Sequence, residues 1–544
     1  MRGNRVSDYA RPASLTLAHF WVAFGAFFVA VLLGLYQVLE RAELIPLWAE
    51  GYYISVTAHG MVMAYVLTTF FVTGFGYYTA ASSLQRSVWC LPLAWSGFGT
   101  MLTGVVLVVY AVVSGQATVL YTFYAPLTAH WTFYAGALLL LLGSVGWVVN
   151  MFVMTVLWKR ENAGEPFPLP MFATTANAIL WSWTLVGVGC SVAFMLLPLS
   201  LGWVDSIDVG LSKTLFAWTL HPVTYFWLIP VYIAMYTIVP RVAGGRLFSD
   251  HMARVVFILL LVFALPIGMH HLYADPFQAA GWKLLAAFGT LMVAVPTLLT
   301  GFTVIASLEI AGRLRGGKGM FGWIVALPWK EPVVLAQLLA LLMLTLGGFG
   351  GMVNGAYGMN SMVHNTMWVP AHFHLIFAGT VITMYFAIAY HLWPKMTGNR
   401  LYSAGLARLQ LWLWFIGIAM LTLPWHYLGL LWMPRRTAWL PYAPEFVRQW
   451  QPWMDLMAVA GVILVVSALL FVWNLLQTHT SRQPVVEREL KFARPLQPVL
   501  RLPGPLNGFL LWNAILVIYM VMGFGYPLLQ FFLIEPHNAL PWGW

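Results

Sequence analysis

The chain has 544 residues, of which 61% are hydrophobic and 8% are charged, and its mean hydropathy is +0.80. A soluble globular domain carries about 25% charged residues, so this composition excludes a soluble protein, a disordered chain and a nucleic-acid-binding protein. The net charge of +10 does not indicate nucleic acid, because the basic residues lie in short loops between long apolar runs. The composition therefore predicts a polytopic membrane protein.

Thirteen apolar runs are long enough to cross a bilayer, which takes about 20 residues of helix. They predict an all-α protein in which the whole chain, residues 1–544, forms a single bundle of thirteen transmembrane helices. Short loops leave no room for a second soluble domain. The predicted spans are 15–39, 54–79, 88–113, 129–157, 172–201, 213–240, 254–273, 282–311, 333–352, 367–391, 405–430, 452–477 and 508–533.

Most basic residues fall in alternate loops, which we assign to the cytoplasmic side. This assignment places the N-terminus in the cytoplasm and, with an odd number of helices, the C-terminus outside. The first apolar run is not followed by a small-residue cleavage site, so we expect it to be retained as a helix. Six of the 27 basic residues fall on the outer side: Arg41, Lys213, Lys283, Arg435, Arg436 and Arg448. The adjacent pair among them predicts a contact with anionic groups, with a tolerated surface pair as the alternative.

The two cysteines, Cys90 and Cys190, lie in separate apolar segments. They can build neither a disulfide framework nor a multi-cysteine metal site. Any metal must therefore be held by other residues.

Six histidines are predicted to lie at one depth, in the outer third of the bilayer. A single histidine in a membrane helix is usually a packing residue, but ionisable groups there are costly and often mark a site. Six packing histidines would not be expected to share one depth, so the set predicts metal centres. Its members are His59, His221, His270, His271, His372 and His374.

The spacing of His372 and His374 predicts two centres. Residues two apart on a helix point about 200° apart, so these side chains face opposite sides of helix 10. Imidazole is a common axial ligand of haem iron, and His59 is the predicted partner of one of the two histidines. The other would be a single axial ligand, which leaves an open face of the iron for a small gas molecule.

The remaining three histidines, His221, His270 and His271, offer neutral nitrogens without a thiolate or carboxylate. Such a ligand set suits copper or zinc. A redox role beside haem favours copper.

These motifs resemble subunit I of the haem-copper oxygen reductases, most closely the B-type, or ba-type, cytochrome c oxidases. The resemblance covers essentially the whole chain. It rests on the segment from His221 to Trp227 (HPVTYFW), on HH at 270–271 followed by DP at 275–276, and on VHNT at 363–366 leading into PAHFH at 370–374.

The resemblance implies the following ligands: His59 and His374 for a low-spin haem b, His372 for a high-spin haem of a-type or another variant, and His221, His270 and His271 for the copper called CuB. It also implies that Tyr225 is covalently joined to His221.

The chain departs from the A-type relatives in its proton route. These relatives carry a glutamate two residues after the first copper histidine, where this chain has Val223, and no Asp or Glu lies near the middle of any predicted helix. We therefore expect protons to move along neutral groups, with simple packing as the alternative for the threonines. The predicted column consists of Tyr225, Tyr232, Tyr236, Ser249, Thr297, Thr300 and Thr303.

A second departure concerns the haem propionates. Asn360 stands where an acidic group is expected near them in the resembled enzymes. The predicted propionate partners are His364, Asn365, Arg435 and Arg436.

The resemblance implies the catalytic subunit of a terminal respiratory oxidase, multi-pass in a bacterial or archaeal cell (inner) membrane. It would pass electrons from cytochrome c or a similar donor to O2, take up protons from the cytoplasm and translocate protons. A subunit II with a dinuclear copper centre is implied, since two separated cysteines cannot form one here. Membrane lipid and no nucleic acid are the other expected partners.

Two other functions remain as alternatives. A nitric-oxide reductase of the same superfamily would use non-haem iron and a nearby glutamate. From another class, a non-catalytic b-type electron carrier or a transporter would not need the three-histidine set.

Overall fold

The computed structural model describes residues 11–440, 442–485 and 487–533. Within them, thirteen helices are long and apolar enough to cross a membrane, which confirms the all-α prediction and its helix number. They are α1 (Ala13–Arg41), α2 (Ala49–Leu84), α3 (Leu91–Val113), α4 (Trp131–Glu161), α5 (Leu169–Ser200), α6 (Val209–Val242), α7 (Asp250–Leu272), α8 (Ala280–Leu314), α9 (Pro332–Gly355), α10 (Trp368–Thr397), α11 (Ala404–Leu430), α12 (Gln451–Thr480) and α13 (Leu510–Leu533). Residues 1–10 and 534–544, which carry the predicted orientation of the termini and the ends of the predicted 1–544 bundle, lie outside the described residues.

Several helices extend beyond the apolar runs that predicted them. The second span, predicted as 54–79, is the helix Ala49–Leu84, and the eighth, predicted as 282–311, is Ala280–Leu314. Apolar length marks only the part that crosses the hydrocarbon core, whereas backbone hydrogen bonds continue into the polar ends of a helix. The predicted spans were therefore too short for these helices, whereas others began too early, among them 88–113, which is the helix Leu91–Val113, and 508–533, which is Leu510–Leu533.

Helix α6 departs from regular α-helical geometry along its length. Pro230 lies inside it and has no backbone N–H, so the carbonyl of Phe226 loses its usual donor. Asn177 of α5 donates from Nδ2 to this carbonyl at 3.2 Å. A π-helical segment, Ala234–Ile238, follows and contains Tyr236. Contacts along this helix therefore follow its local geometry and not a constant angle per residue.

Two other helices contain π-helical segments next to predicted ligand histidines. Helix α2 contains Val62–Leu67 shortly after His59, and α10 contains Leu375–Ile382 immediately after His374. Segments of this kind are rare and often lie at functional sites. They show that both helices change their winding beside a predicted ligand.

Helices α3 and α4 pack closely through facing glycines. A Cβ at Gly97 would lie 2.6 Å from the carbonyl oxygen of Gly143, and a Cβ at Gly104 would lie 2.5 Å from that of Gly136. Small residues allow backbones to approach closely where van der Waals packing drives helix association. Any side chain at these positions would separate the pair.

At the end of the bundle opposite the six histidines, the segment after α12 crosses beneath the helices. Its Ala493 donates its backbone N–H to the carbonyl of Thr237 in α6 at 2.6 Å. Leu247 donates to the carbonyl of Arg494 at 3.0 Å. These bonds cover the end of α6 that follows the predicted tyrosine column.

A buried arginine joins α7 to two loops at this same end. Arg254 is 1% exposed and pairs with Asp250, at 2.5 Å between Nε and Oδ1. It also donates to the backbone carbonyls of Phe167 at 2.5 Å and Leu506 at 3.3 Å. The buried guanidinium is the donor in each of these contacts. Without it, the carboxylate of Asp250 and both carbonyls would lose this hydrogen-bond donor.

We predict that Arg254→Met lowers the stability of the protein by about 3–5 kcal/mol, the usual cost of removing one partner of a buried ion pair. Arg313→Met is the matched control, because Arg313 pairs with Glu309 at the same i, i+4 spacing but is 48% exposed. Exposed pairs contribute about 0–1 kcal/mol. Melting temperatures of the purified variants in detergent test this, and equal losses in the two variants would contradict it.

Candidate metal centre

Three predicted ligands converge between α6 and α7. One ring nitrogen each of His221, His270 and His271 lies within 4.8 Å of the others. The ring centroids of His221 and His270 are 4.7 Å apart, and those of His270 and His271 are 4.1 Å apart. His221 occupies the irregular turn before Pro222, and the adjacent pair lies in the 3-10 turn that ends α7. The structure therefore brings the predicted trio together.

The hydrogen bonds of the trio leave nitrogens available for a metal ion. His270 Nδ1 lies 2.6 Å from the carbonyl oxygen of Ile267 and 3.1 Å from Oγ1 of Thr290. Donation from Nδ1 leaves the lone pair of Nε2 free to coordinate a metal. Nε2 of His221 is buried and has no hydrogen-bond partner among the described residues. A buried nitrogen of this kind is costly unless something else occupies it, so the trio fits a copper ion.

Tyr225 lies one turn beyond His221 on α6. The ring centroids of the two side chains are 4.9 Å apart, with the planes tilted by 44°. The tyrosine is 8% exposed. The structure thus places this phenol against the first predicted copper ligand.

His59 of α2 and His374 of α10 face each other across a gap. Their ring centroids are 6.3 Å apart and their planes differ by 17°. A nitrogen bound at about 2.0–2.1 Å on each side of one metal ion puts two imidazole centroids about 6 Å apart. Nδ1 of His59 lies 2.8 Å from the carbonyl oxygen of Ala30, and Nδ1 of His374 lies 2.7 Å from that of Pro370. The pair therefore fits an iron held through both Nε2 atoms.

His372 points away from this pair, toward α9. Its Nδ1 lies 2.7 Å from the carbonyl oxygen of Gly347. A Cβ at Gly351 would lie 2.8 Å from Cε1 of the same ring, so the ring needs glycine there. The two histidines of α10 thus take opposite sides of the helix, as their spacing predicted.

A cavity surrounds His59 and His374 between α1, α2, α10, α11 and α12. Its walls are mostly apolar, and its rim includes Arg435 and Arg436 from the loop after α11. An apolar slot with a cationic rim fits a macrocycle that ends in carboxylates. The lining residues that the sequence did not assign to the site include Gln37, Arg41, Tyr52 and Trp425.

Arg41 is a site residue that the sequence reasoning did not assign. Its Nη2 donates to the carbonyl of Pro434 at 3.1 Å and lies 3.4 Å from Oγ1 of Thr437. It is one of the six basic residues on the predicted outer side, whereas most basic residues lie on the cytoplasmic side. This unusual position is the feature of the sequence that could have identified it. Lys213, another of the six, pairs with Asp275 at 3.1 Å.

The four predicted propionate partners lie on two paired loop segments. Arg435 donates its backbone N–H to the carbonyl of Asn365 at 3.0 Å and its Nη2 to Oδ1 of Asn365 at 3.1 Å. Asn365 has φ 60°, a left-handed conformation that asparagine tolerates. Nδ1 of His364 lies 3.2 Å from Oδ1 of Asn360. Only Arg435 and Arg436 of the four line the cavity.

The rim is short of negative charge. Burial, reinforced by the positive charge of Arg436, lowers the pKa of Arg435 to about 9. Burial and the same two arginines also lower the pKa of His364 below its usual value. An anionic group at this rim would relieve both effects.

The predicted proton column is assembled in part. Tyr236 donates its hydroxyl to Oγ1 of Thr300 at 2.8 Å, and its ring centroid lies 6.3 Å from that of Tyr232. The hydroxyl of Tyr232 is buried without a hydrogen-bond partner among the described residues. Thr297 and Thr303 instead bond carbonyls of their own helix.

Ser249 caps α7, accepting the backbone N–H of Met252 at 3.2 Å. Ser307, which the sequence reasoning did not include, links this loop to the column. It accepts the N–H of Phe248 at 2.9 Å and donates to the carbonyl of Thr303 at 2.7 Å.

The chain is similar to known proteins over most of its length. Residues 14–463 match the family model for cytochrome C and quinol oxidase polypeptide I. The chain is 38% identical to cytochrome c oxidase subunit 1 of Thermus thermophilus, over 97% of this chain and 96% of the relative. It is 27% identical to cytochrome c oxidase subunit 1 of Thermostichus vulcanus, over 83% of this chain and 81% of the relative.

Among solved structures, a cryo-EM structure of a heme-copper terminal oxidase dimer superposes with a TM-score of 0.89 and 34% identity, covering 95% of this chain and 92% of the other. The chain therefore belongs to the cytochrome c and quinol oxidase polypeptide I family, as a subunit I of the B-type haem-copper oxidases.

Proposed function

We propose that this subunit catalyses the oxidation of cytochrome c coupled to the four-electron reduction of O2 to water, with proton uptake and proton translocation. One observation carries the proposal: His221, His270 and His271 bring three ring nitrogens within 4.8 Å of one another, with Tyr225 against the first. An electron carrier needs only paired haem ligands. A three-nitrogen site beside a phenol is suited to oxygen chemistry.

The proposed ligands are His59 and His374 for a low-spin haem b, His372 for a high-spin haem of a-type or another variant, and the three-histidine cluster for CuB. The support is that Nδ1 of His59, His270, His372 and His374 lies at hydrogen-bond distance from a backbone carbonyl. When bound, the haems and copper supply the electrons and an open coordination position for oxygen. The chain's own residues hold these groups and deliver protons.

We propose that Arg435 and Arg436 bind haem propionates, with His364 and Asn365 beside them. The support is the partly buried positive charge at the rim of the cavity. Asn360 carries an amide, which cannot ionise, so its interaction with His364 holds that ring without supplying charge.

Reduction of one O2 to two water molecules consumes four electrons and four protons. In the proposed reaction Tyr225 supplies one electron together with its hydroxyl proton, and one of the four electrons from cytochrome c later reduces the side chain again. That proton is restored through Tyr232, Tyr236 and Thr300, with Thr297, Thr303 and Ser249 as the other members of the column. A phenol can relay a proton while it stays neutral in an apolar interior, whereas a carboxylate resists ionising there.

The two cysteines are free, and they lie in different helices or helix ends. The dinuclear copper entry site is therefore assigned to a subunit II, which receives electrons from cytochrome c or a similar donor. We place the complex in a bacterial or archaeal cell membrane, with the N-terminus in the cytoplasm and the C-terminus outside. Residues 1–544 would form a single domain within it.

A nitric-oxide reductase is the less favoured function within the family. It would use a glutamate near the non-haem metal. In the described part of the chain the cluster consists of three histidines, and the phenol of Tyr225 beside His221 supports oxygen reduction.

We predict that His374→Ala, or His59→Ala, removes the low-spin haem and leaves the high-spin haem bound, because the two haems depend on opposite sides of α10. His372→Ala should have the reverse effect. Optical spectra and extracted haem per purified complex provide the measurement. Equal loss of both haems from an assembled His374→Ala complex would contradict this division.

A second prediction concerns copper. His270→Ala should lose one copper per two haems, since a three-nitrogen site loses a ligand. His130→Ala is the control, because this half-buried histidine contacts Thr132 at 2.9 Å outside the cluster. Metal analysis decides the matter, and an unchanged copper-to-iron ratio in His270→Ala would count against the site.

A third prediction concerns the proton column. Tyr236→Phe keeps the ring and deletes the hydroxyl that bonds Thr300, so oxygen consumption should fall by about 10²-fold, the usual contribution of a positioned proton-transfer group. Reduction of the low-spin haem in stopped flow should stay near the wild-type rate. The control is Tyr390→Phe, which deletes another buried hydroxyl, bonded to Gln410. Wild-type turnover in Tyr236→Phe would show that the column serves packing only.

A further inference from the structure

Trp425 and His426 are adjacent residues of α11 that contact the surroundings of two different histidines of α10. Neighbouring residues on a helix point about 100° apart, so one short segment can reach both sides of α10. Sequence reasoning gave neither residue a chemical role. Their contacts, however, divide between the two proposed haem ligands.

Trp425 packs directly against His374. The ring centroids are 5.0 Å apart and the planes meet at 73°, an edge-to-face contact. Trp425 also lines the cavity that contains His59. The indole therefore limits the rotation of the His374 ring, whose Nδ1 also lies 2.7 Å from the carbonyl oxygen of Pro370.

His426 lies behind the opposite histidine. Its Nδ1 lies 2.8 Å from the carbonyl oxygen of Thr422, one turn earlier on α11. Its Nε2 lies 3.2 Å from the position that a Cβ on Gly350 would take, and Cβ of His372 lies 3.1 Å from the same position. His426 and His372 thus both press on Gly350, which has no side chain to separate them.

Trp368 completes this contact. Its ring centroid lies 4.7 Å from that of His426, with the planes at 87°. Its Nε1 donates to the carbonyl of Gly350 at 3.3 Å. The two rings therefore hold the turn of α9 from Gly347 to Gly351, and Gly347 is the residue whose carbonyl accepts from His372.

The hydrogen bond at Nδ1 controls how strongly an imidazole donates to a metal through Nε2. A carbonyl acceptor fixes the orientation of the ring and raises the basicity of the ligating nitrogen. If the α9 turn moves away from His372, this bond lengthens and the bond from Nε2 to iron weakens. Packing against His374, in contrast, affects only the plane of that ring.

We propose that Trp425 and His426 are separate positioning residues for the two haems. Trp425 fixes the ring plane of His374 at the low-spin haem. His426, acting through Trp368 and Gly350, fixes the hydrogen bond from His372 to Gly347 at the high-spin haem. This inference rests on the ligands proposed above.

The test uses the purified complex with its partner subunit and two spectroscopic signals. The low-spin EPR signal reports the relative orientation of the two axial imidazoles, and the iron–histidine stretching band in resonance Raman reports the strength of the high-spin haem's proximal bond. Trp425→Leu should change the EPR signal and leave the stretching band in place. His426→Ala should move the stretching band to lower frequency and leave the EPR signal unchanged.

Two further variants distinguish the effect of the contact between His426 and Trp368 from a general loss of assembly of the complex. His426→Phe keeps a ring against Trp368, so its stretching band should stay close to that of the wild type. Trp368→Phe deletes the bond to Gly350 but keeps a ring, so its band should fall as in His426→Ala. This variant carries the comparison if His426→Ala does not assemble.

The outcomes distinguish this inference from the ligand assignment. If the wild-type complex lacks the two-imidazole EPR signal, the ligands proposed for the low-spin haem are wrong. If it lacks the iron–histidine stretching band, the ligand proposed for the high-spin haem is wrong. With both signals present, the inference fails if one variant alters both signals, or if Trp368→Phe and His426→Ala leave the stretching band unchanged.

Discussion

Each histidine of the site needs a partner for one ring nitrogen while the other stays free. Four of them meet this requirement with backbone carbonyls, at 2.6 to 2.8 Å from Nδ1. A neutral imidazole that donates one N–H has one lone pair left, and the apolar interior makes an unpartnered N–H costly. The carbonyls therefore fix both the tautomer and the direction in which each ring can bind a metal. The arrangement of the surrounding helices follows from where those carbonyls lie.

Two of the carbonyls come from neighbouring helices, which must then approach closely. His372 reaches Gly347 of α9, where a Cβ at Gly351 would lie 2.8 Å from its ring. His59 reaches Ala30 of α1, where a Cβ at Gly34 would lie 3.3 Å from its ring. In both places glycine leaves space for the imidazole without lengthening the hydrogen bond. The metal centre thus depends on glycines that make no contact with metal.

The sequence predicted what depends on local pattern. Apolar length predicted thirteen helices, and the i, i+2 spacing predicted the opposite directions of His372 and His374. It did not predict contacts that depend on departures from regular α-helical geometry or on how the helices pack against one another. Three features are of this kind: the π-helical segment around Tyr236, the role of Ser249 as a helix cap and the position of His426. For His426, only the tertiary contacts of its side chain indicate a role. Arg41 was visible as a charge on the predicted outer side, but its partners were not.

Arg435 and Arg436, two basic residues on the predicted outer side, explain why the cavity favours an anion. Arg435 and Arg436 are adjacent, and burial with their mutual repulsion lowers the pKa of Arg435 to about 9. The guanidinium of Arg436 lies 5.5 Å from the ring of Tyr124 and 5.8 Å from that of Tyr121, which compensates for part of the lost hydration. Nε of Arg435 remains buried without a partner among the described residues. Carboxylates at the edge of a bound macrocycle would satisfy this nitrogen and neutralise the pair, so binding of the proposed low-spin haem and ordering of the rim should stabilise each other.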